Sequence, residues 1–270
     1  MFNTSPRQRD NVQCPNCGGL SSFWRSPASD LYYCRACDVA FRHPIPSQAQ
    51  LETIYSCRYR ADRFRHADTE MLSPKAVLEG YACFIAKRYG SNGHRVLEIG
   101  AGTGFLAARL ATLGFEVWGV EPSKGARDVA RVEYGIDLLP YVELLPQHAT
   151  CEGFDCVVAI EVIEHLRDPW GALRKWRGYL SNGGGLFVTT PNRRGARAML
   201  KGGAWREARK PYHLFLFGPR GLRSAALQSG YSRVKMIRDA PLTCSNLGRK
   251  CVHKVLQLCD LYGGLRMAAY

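Results

Sequence analysis

The run Val96-Leu97-Glu98-Ile99-Gly100-Ala101-Gly102-Thr103-Gly104-Phe105 constrains the chain more than any other. An apolar strand enters a turn with glycine at every second position and leaves it as a helix start, so the backbone can approach a ligand where side chains would collide. The dinucleotide fingerprint G-x-G-x-x-G needs glycine where Phe105 stands, and no Gly-Lys-Ser/Thr follows to make a phosphate-cradling loop. The turn therefore suits a nucleoside without a pyrophosphate. Glu121, at the end of the next strand, supplies a carboxylate that can accept hydrogen bonds from both ribose hydroxyls.

Strands and helices alternate around this turn. Ser73-Pro74 reads as an N-cap with proline at the first helical position, and Val77, Leu78, Tyr81, Phe84 and Ile85 form one apolar stripe up to Gly90. Strands are expected over 95–99, 115–120, 156–160 and 186–190. Helices are expected over 105–113, from Ser123 to Gly135, from Asp168-Pro169 through Leu173, Trp176 and Leu180, and over 221–228. A strand over 233–237, a helix over 247–261 and a strand over 265–270 complete the pattern. Repeated β-α-β units predict an α/β fold with a doubly wound, mostly parallel sheet.

Residues 1–46 differ in kind, being rich in Cys, Pro, Ser and Gly with short β-favouring pieces at Ser22-Phe23-Trp24 and Leu31-Tyr32-Tyr33. Cys14-Pro15-Asn16-Cys17 and Cys34-Arg35-Ala36-Cys37 form two C-x2-C pairs separated by sixteen residues, the spacing of a structural zinc ribbon. Four thiolates fill a tetrahedron and leave no open position, so this metal would be scaffold. The other seven of the eleven cysteines are scattered, which fits reduced thiols better than disulfides. Residues 47–72 read as a connector in which Leu51, Ile54, Tyr55 and Tyr59 have helical spacing, and residues 73–270 as the large domain.

The segment VLEIGAGTGFLAARLATLGFEVWGVEPS resembles the first two motifs of class I S-adenosyl-L-methionine (SAM)-dependent methyltransferases. FDCVVAIEVIEHL and GGGLFVTTPN resemble the fourth- and fifth-strand motifs of the same family, so the resemblance covers roughly residues 73–240. It implies a Rossmann-like methyltransferase fold in which Glu98, Gly100, Gly102 and Gly104 line the methionine end of SAM and Glu121 holds the ribose, with Glu161 also at the cofactor. The N-terminal run from CPNCGG to PIPSQAQLETIY resembles the zinc-binding segment of many bacterial methyltransferases.

Glu161-Val162-Ile163-Glu164-His165 directly follows the fourth-strand motif, where a methyl acceptor must sit. In one helical turn Glu161, Glu164 and His165 would converge at i, i+3 and i+4, and His213, after the fifth strand, is a fourth candidate. Two carboxylates and imidazoles could bind a divalent cation and leave positions for substrate oxygens. This E-x-x-E-H arrangement looks like the metal site of small-RNA 2′-O-methyltransferases and is similar to that of quinone-pathway O-methyltransferases, although metal-free methyltransferases carry similar stretches. Without metal, His165, His213 and Glu164 are the catalytic candidates, with His165 or His213 as general base, or else the acid and histidine anchor the helix or contact substrate.

The expected function is O-methylation of a small-molecule acceptor such as a phenol, quinone precursor or sugar. Aromatic Trp205, Tyr212, Phe215 and Phe217 are candidate walls of the acceptor pocket. A formal charge of +14 keeps an RNA ribose 2′-O-methyltransferase as the alternative. A non-catalytic zinc-ribbon adaptor is a third reading, opposed by the intact glycines and Glu121. No apolar run approaches the roughly 18 residues that span a bilayer, and MFNTSPRQRD lacks a secretory pattern, so no membrane insertion and a cytoplasmic location are expected.

Overall fold

Two sheets organise the described residues, 12–24, 30–58, 75–90, 92–238 and 262–270 of the computed structural model. The expected cap at Ser73-Pro74, the side chains of Tyr55 and Tyr59, the end of the connector and the helix expected over 247–261 lie outside them.

The smaller sheet begins with β1 (Ser22–Phe23), β2 (Leu31–Cys34) and β3 (Val39–Arg42), an antiparallel meander that carries the cysteine pairs at its turns. The connector forms α1 (Gln48–Arg58), which buries Leu51. After it come α2 (Lys75–Tyr89), β4 (Arg95–Ile99), α3 (Phe105–Thr112), β5 (Glu116–Val120), α4 (Lys124–Tyr134), α5 (Gln147–Glu152), β6 (Phe154–Ile160), α6 (Pro169–Arg177) and β7 (Leu180–Pro191). The remainder is α7 (Ala196–Lys201), β8 (Phe215–Phe217), α8 (Pro219–Gln228), β9 (Val234–Met236) and β10 (Gly264–Ala269).

The larger sheet has the order β5-β4-β6-β7-β10-β9; β4, β5, β6 and β7 are mutually parallel, and β10 runs antiparallel to both its neighbours. The expected doubly wound α/β architecture is therefore present. Helices cover both faces, which is why its central strands read as continuous apolar runs. The period of two sorts the side chains: Val96, Cys156 and Val158 pack with Tyr81, Ile85, Leu106 and Leu110 of α2 and α3. Leu97, Ile99, Val157 and Ala159 share the opposite core with Leu173 and Trp176 of α6 and Leu222 of α8.

Two expectations need correction. Leu180 does not end the α6 stripe; the helix closes at Arg177 and Leu180 opens β7, several residues before the expected start at 186. The sequence hides this because Asn182-Gly183-Gly184-Gly185 reads as loop, yet a Cβ on Gly184 would stand 2.6 Å from the Phe154 carbonyl oxygen. Glycine is what lets β7 run alongside the start of β6, where the register shifts between Phe154 and Cys156.

The meander does not stand apart. β3 pairs antiparallel with β8, Val39 opposite Phe217, so hydrogen bonds cross from the cysteine-bearing segment into the region after β7. Asp38 follows Cys37 directly, is buried at φ 49° and pairs with buried Arg193. Its carboxylate also accepts from Tyr33 Oη (3.3 Å) and the Gly221 N–H (3.3 Å), and the Arg193 guanidinium lies 4.1 Å over the Tyr33 ring. Arg42, also buried, donates to the carbonyls of Ala208 (3.1 Å) and Lys210 (2.9 Å).

Candidate active site

The glycine turn sits at the carboxyl end of β4, where ligands bind in open α/β sheets. Gly100, Gly102 and Gly104 have φ of 70°, 55° and 79°, the left-handed region that other residues avoid. At two of them space is closed as well: a Cβ on Gly100 would meet Val162 Cγ2 at 2.5 Å, and one on Gly104 would meet Ala130 Cβ at 2.7 Å. Backbone conformation and packing thus both demand the glycines that the pattern predicted.

Glu121, at the end of β5, is held from both sides: Oε2 accepts from the Gly102 N–H (3.0 Å) and Oε1 from the Ser123 N–H (2.8 Å). Each oxygen keeps acceptor capacity for a ligand hydroxyl. Burial raises its pKa, opposed by those two N–H groups and Arg127. Glu98 is buried on β4, with Oε2 lacking a hydrogen-bond partner. Burial and the neighbouring Glu121 push its pKa up to about 8, so it is predominantly neutral at pH 7 until a cation comes near.

At the end of β6 the chain makes a short 3-10 turn over Ile163–His165. Three expected residues meet here: ligand atoms of Glu164, His165 and His213 all lie within 4.8 Å of one another. His165 stacks on Tyr212 (5.3 Å between centroids, 3° between planes) and meets His213 edge-on at 4.8 Å. The Leu214 N–H donates to the Glu164 carbonyl (2.7 Å), which fixes the His213 segment against the turn.

Glu161 does not join the group. It adopts φ 54° instead of opening a helical turn, and its Oε1 accepts from Thr189 Oγ1 (3.0 Å). Loss of hydration around its carboxyl, with Glu207 adding to the effect, pushes its pKa up to about 6, opposed by the Thr189 hydrogen bond. Glu164 is fully buried; Oε2 accepts from Thr190 Oγ1 (2.9 Å), while Oε1 has no hydrogen-bond partner and lies 3.9 Å from His165 Nε2. Burial first, and Glu161 second, raise the Glu164 pKa well above the ordinary carboxylate value. A carboxyl so placed holds a proton or faces a cation. Its orphan oxygen and two adjacent imidazoles form a donor set that fits a divalent ion.

The sequence reading missed Thr189 and Thr190, which anchor the two carboxylates, and Glu207. The available signal was the Thr-Thr pair near the end of β7: neighbouring strand residues point to opposite faces, so Thr189 meets Glu161 on one and Thr190 meets Glu164 on the other. Glu207 lies 3.7 Å from His213 Nδ1 and pairs with Arg206 (2.9 Å) and Lys210 (2.5 Å). Burial works to raise its pKa, but those two cations outweigh burial and hold it below the usual value. Of the four aromatic candidates only Tyr212 borders the cluster; Phe215 and Phe217 are fully buried against Trp170, and Trp205 packs on Trp24.

The four cysteines converge as the spacing predicts, their sulfurs all within 4.8 Å, with Cys14–Cys37 at 3.8 Å and Cys17–Cys34 at 3.6 Å. A tetrahedron with metal–sulfur bonds of about 2.3 Å has edges of about 3.8 Å, so the set fits zinc.

A doubly wound sheet with a three-glycine turn after its first strand and an acid after its second defines the class I methyltransferase fold. A family profile described as Methyltransferase domain matches residues 63–235, and the chain belongs to that family. It is 35% identical over 112 residues to a ubiquinone biosynthesis O-methyltransferase of Aeromonas salmonicida, covering 40% of this chain and 47% of that one. The enzyme of the same name from Caulobacter vibrioides is 33% identical over 177 residues, 55% of this chain and 70% of the relative. The chain thus spans about half the length of most of these curated relatives. A SAM-dependent methyltransferase from Archaeoglobus fulgidus superposes with TM-score 0.56 at 15% identity, over 76% of this chain and 98% of that one. Magnesium protoporphyrin IX methyltransferase from Synechocystis gives 0.56 at 12%, over 83% and 99%. These likenesses speak for the fold. No helix among the described residues is long and apolar enough to cross a membrane.

Proposed function

We propose that the chain is a SAM-dependent methyltransferase that transfers a methyl group to a hydroxyl of a small acceptor such as a phenol, quinone precursor or sugar. The observation that carries this reading is Glu121, held by the Gly102 and Ser123 N–H groups at the mouth of the glycine turn as a ready acceptor for ribose hydroxyls. The relatives named for quinone O-methylation support an oxygen acceptor.

Bound SAM would supply an electrophilic methyl on a sulfonium, an intrinsically good leaving group. Positioning is then most of what the chain must provide. Gly100, Gly102 and Gly104 admit the methionine end, and Glu98, once ionised, complements its ammonium. The Glu164, His165 and His213 group faces the acceptor, and one imidazole accepts the proton that its hydroxyl releases. If the group holds a divalent cation, the ion would lower the pKa of an acceptor hydroxyl. Zinc on Cys14, Cys17, Cys34 and Cys37 would staple the meander.

Calorimetric titration with SAM and its demethylated product tests the reading. Glu121→Ala should weaken both by about 100-fold or more, the worth of two charge-assisted hydrogen bonds. Unchanged affinity in the variant would remove Glu121 from the ribose site. A folded parent chain that binds neither ligand would favour the adaptor.

A further inference from the structure

We propose that a basic pocket beside the histidine cluster binds an anionic group, a phosphoryl or carboxylate, carried by the methyl acceptor; this rests on the methyltransferase reading above. Lys201, Arg206, Arg209 and Lys210, with Ala204 and Pro211, line an open surface depression of about 360 Å³. Four of its six lining residues are cations and none is an acid. Between Arg193 and Lys210 the chain carries seven basic residues and one acid, Glu207. Glu207 neutralises Arg206 and Lys210 in part, whereas Lys201 and Arg209 have no carboxylate partner among the described residues.

One wall of the depression is fixed from behind. The buried Arg42 guanidinium grips the carbonyls of Ala208 and Lys210, so the backbone on either side of Arg209 is set before any ligand arrives. It also adjoins the reaction site. Lys210 bonds Glu207, which lies 3.7 Å from His213, and Pro211 precedes the Tyr212 that stacks on His165. One acceptor could thus place its anion on Lys201 and Arg209 and its hydroxyl at the histidines. Anchoring the far end in this way orients the reacting oxygen.

Titration of the full chain with inorganic pyrophosphate, in the presence of saturating SAM, tests the subsite. Saturable binding is expected, weakened about 10-fold or more in Lys201→Ser/Arg209→Ser, with SAM affinity unchanged. Absence of saturable binding, or binding that the double variant retains, overturns the proposal while leaving the SAM result, and so the methyltransferase reading, intact. Failure to bind SAM would sink that reading separately. Cosedimentation with phosphatidylcholine vesicles, with and without phosphatidylglycerol, separates a lipid-borne group from a soluble one. If a single-stranded RNA 20-mer binds through Lys201 and Arg209 with a steep salt dependence while pyrophosphate does not bind, the small-acceptor assignment is wrong.

Discussion

Replacing Glu164 by alanine is expected to lower turnover by about 10³-fold while SAM affinity stays within experimental error. The carboxyl is wholly buried beside His165 and His213, and it is remote in role from the Glu121 and glycine-turn contacts that would bind the cofactor. Glu164→Gln separates two explanations. Glutamine keeps an acceptor for the Thr190 hydroxyl but carries no charge, and a neutral Glu164 is what burial favours in the absence of a cation. If the cluster works without metal, the Gln variant retains most activity and chelators do nothing. If it holds a divalent ion, Gln resembles Ala, and parent activity falls on chelation and returns with Mg²⁺ or Mn²⁺. His165→Ala should lower turnover on either account, since it removes a metal ligand in one and a candidate base in the other. Full activity in Glu164→Ala would remove Glu164, and a cation held by it, from catalysis.

The second large effect concerns stability. Arg193→Met should destabilise the fold by about 3–5 kcal/mol, because it removes the buried cation from the Asp38 carboxylate and leaves it the exposed Arg220, 4.0 Å away. For a chain of this size that corresponds to a fall in melting temperature of the order of 10 °C. Combining it with Asp38→Asn should recover part of the loss, since asparagine removes the charge yet tolerates the left-handed backbone at that position. Differential scanning calorimetry of the single and double variants reads this directly. A melting point unchanged in Arg193→Met would mean that the pair adds nothing to what the ladder between β3 and β8 and the Arg42 contacts already hold.

Neither the Asp38–Arg193 pair nor the Arg42 clamp could have been read from sequence, because each joins residues more than 150 positions apart and charges carry no periodicity. What was legible had a local cause. The glycine turn is dictated by backbone conformation, the capped helix after Ser123 by a side chain accepting from Ala126 three residues on, and the cysteine group by ligand spacing. The acidic cluster was half legible. Glu164 and His165 fall together because they are adjacent, but convergence of Glu161 assumed a helical turn, and its left-handed backbone sends it to Thr189 instead. The early start of β7 was hidden by glycines whose ordinary meaning is a loop.

The pairing of β3 with β8 and the place of β10 between β7 and β9 bear on how the chain is made. Synthesis delivers β3 with its outer edge bare, and that edge waits until residue 217 has left the ribosome; the edge of β7 waits longer, until residue 264 and beyond. Open edges of this kind recruit foreign strands. The four thiols, by contrast, are all present once residue 37 has emerged. A metal captured then would hold the meander in register through most of translation, so its greatest service would fall in the interval before the fold exists, when nothing else is there to hold the first sheet together.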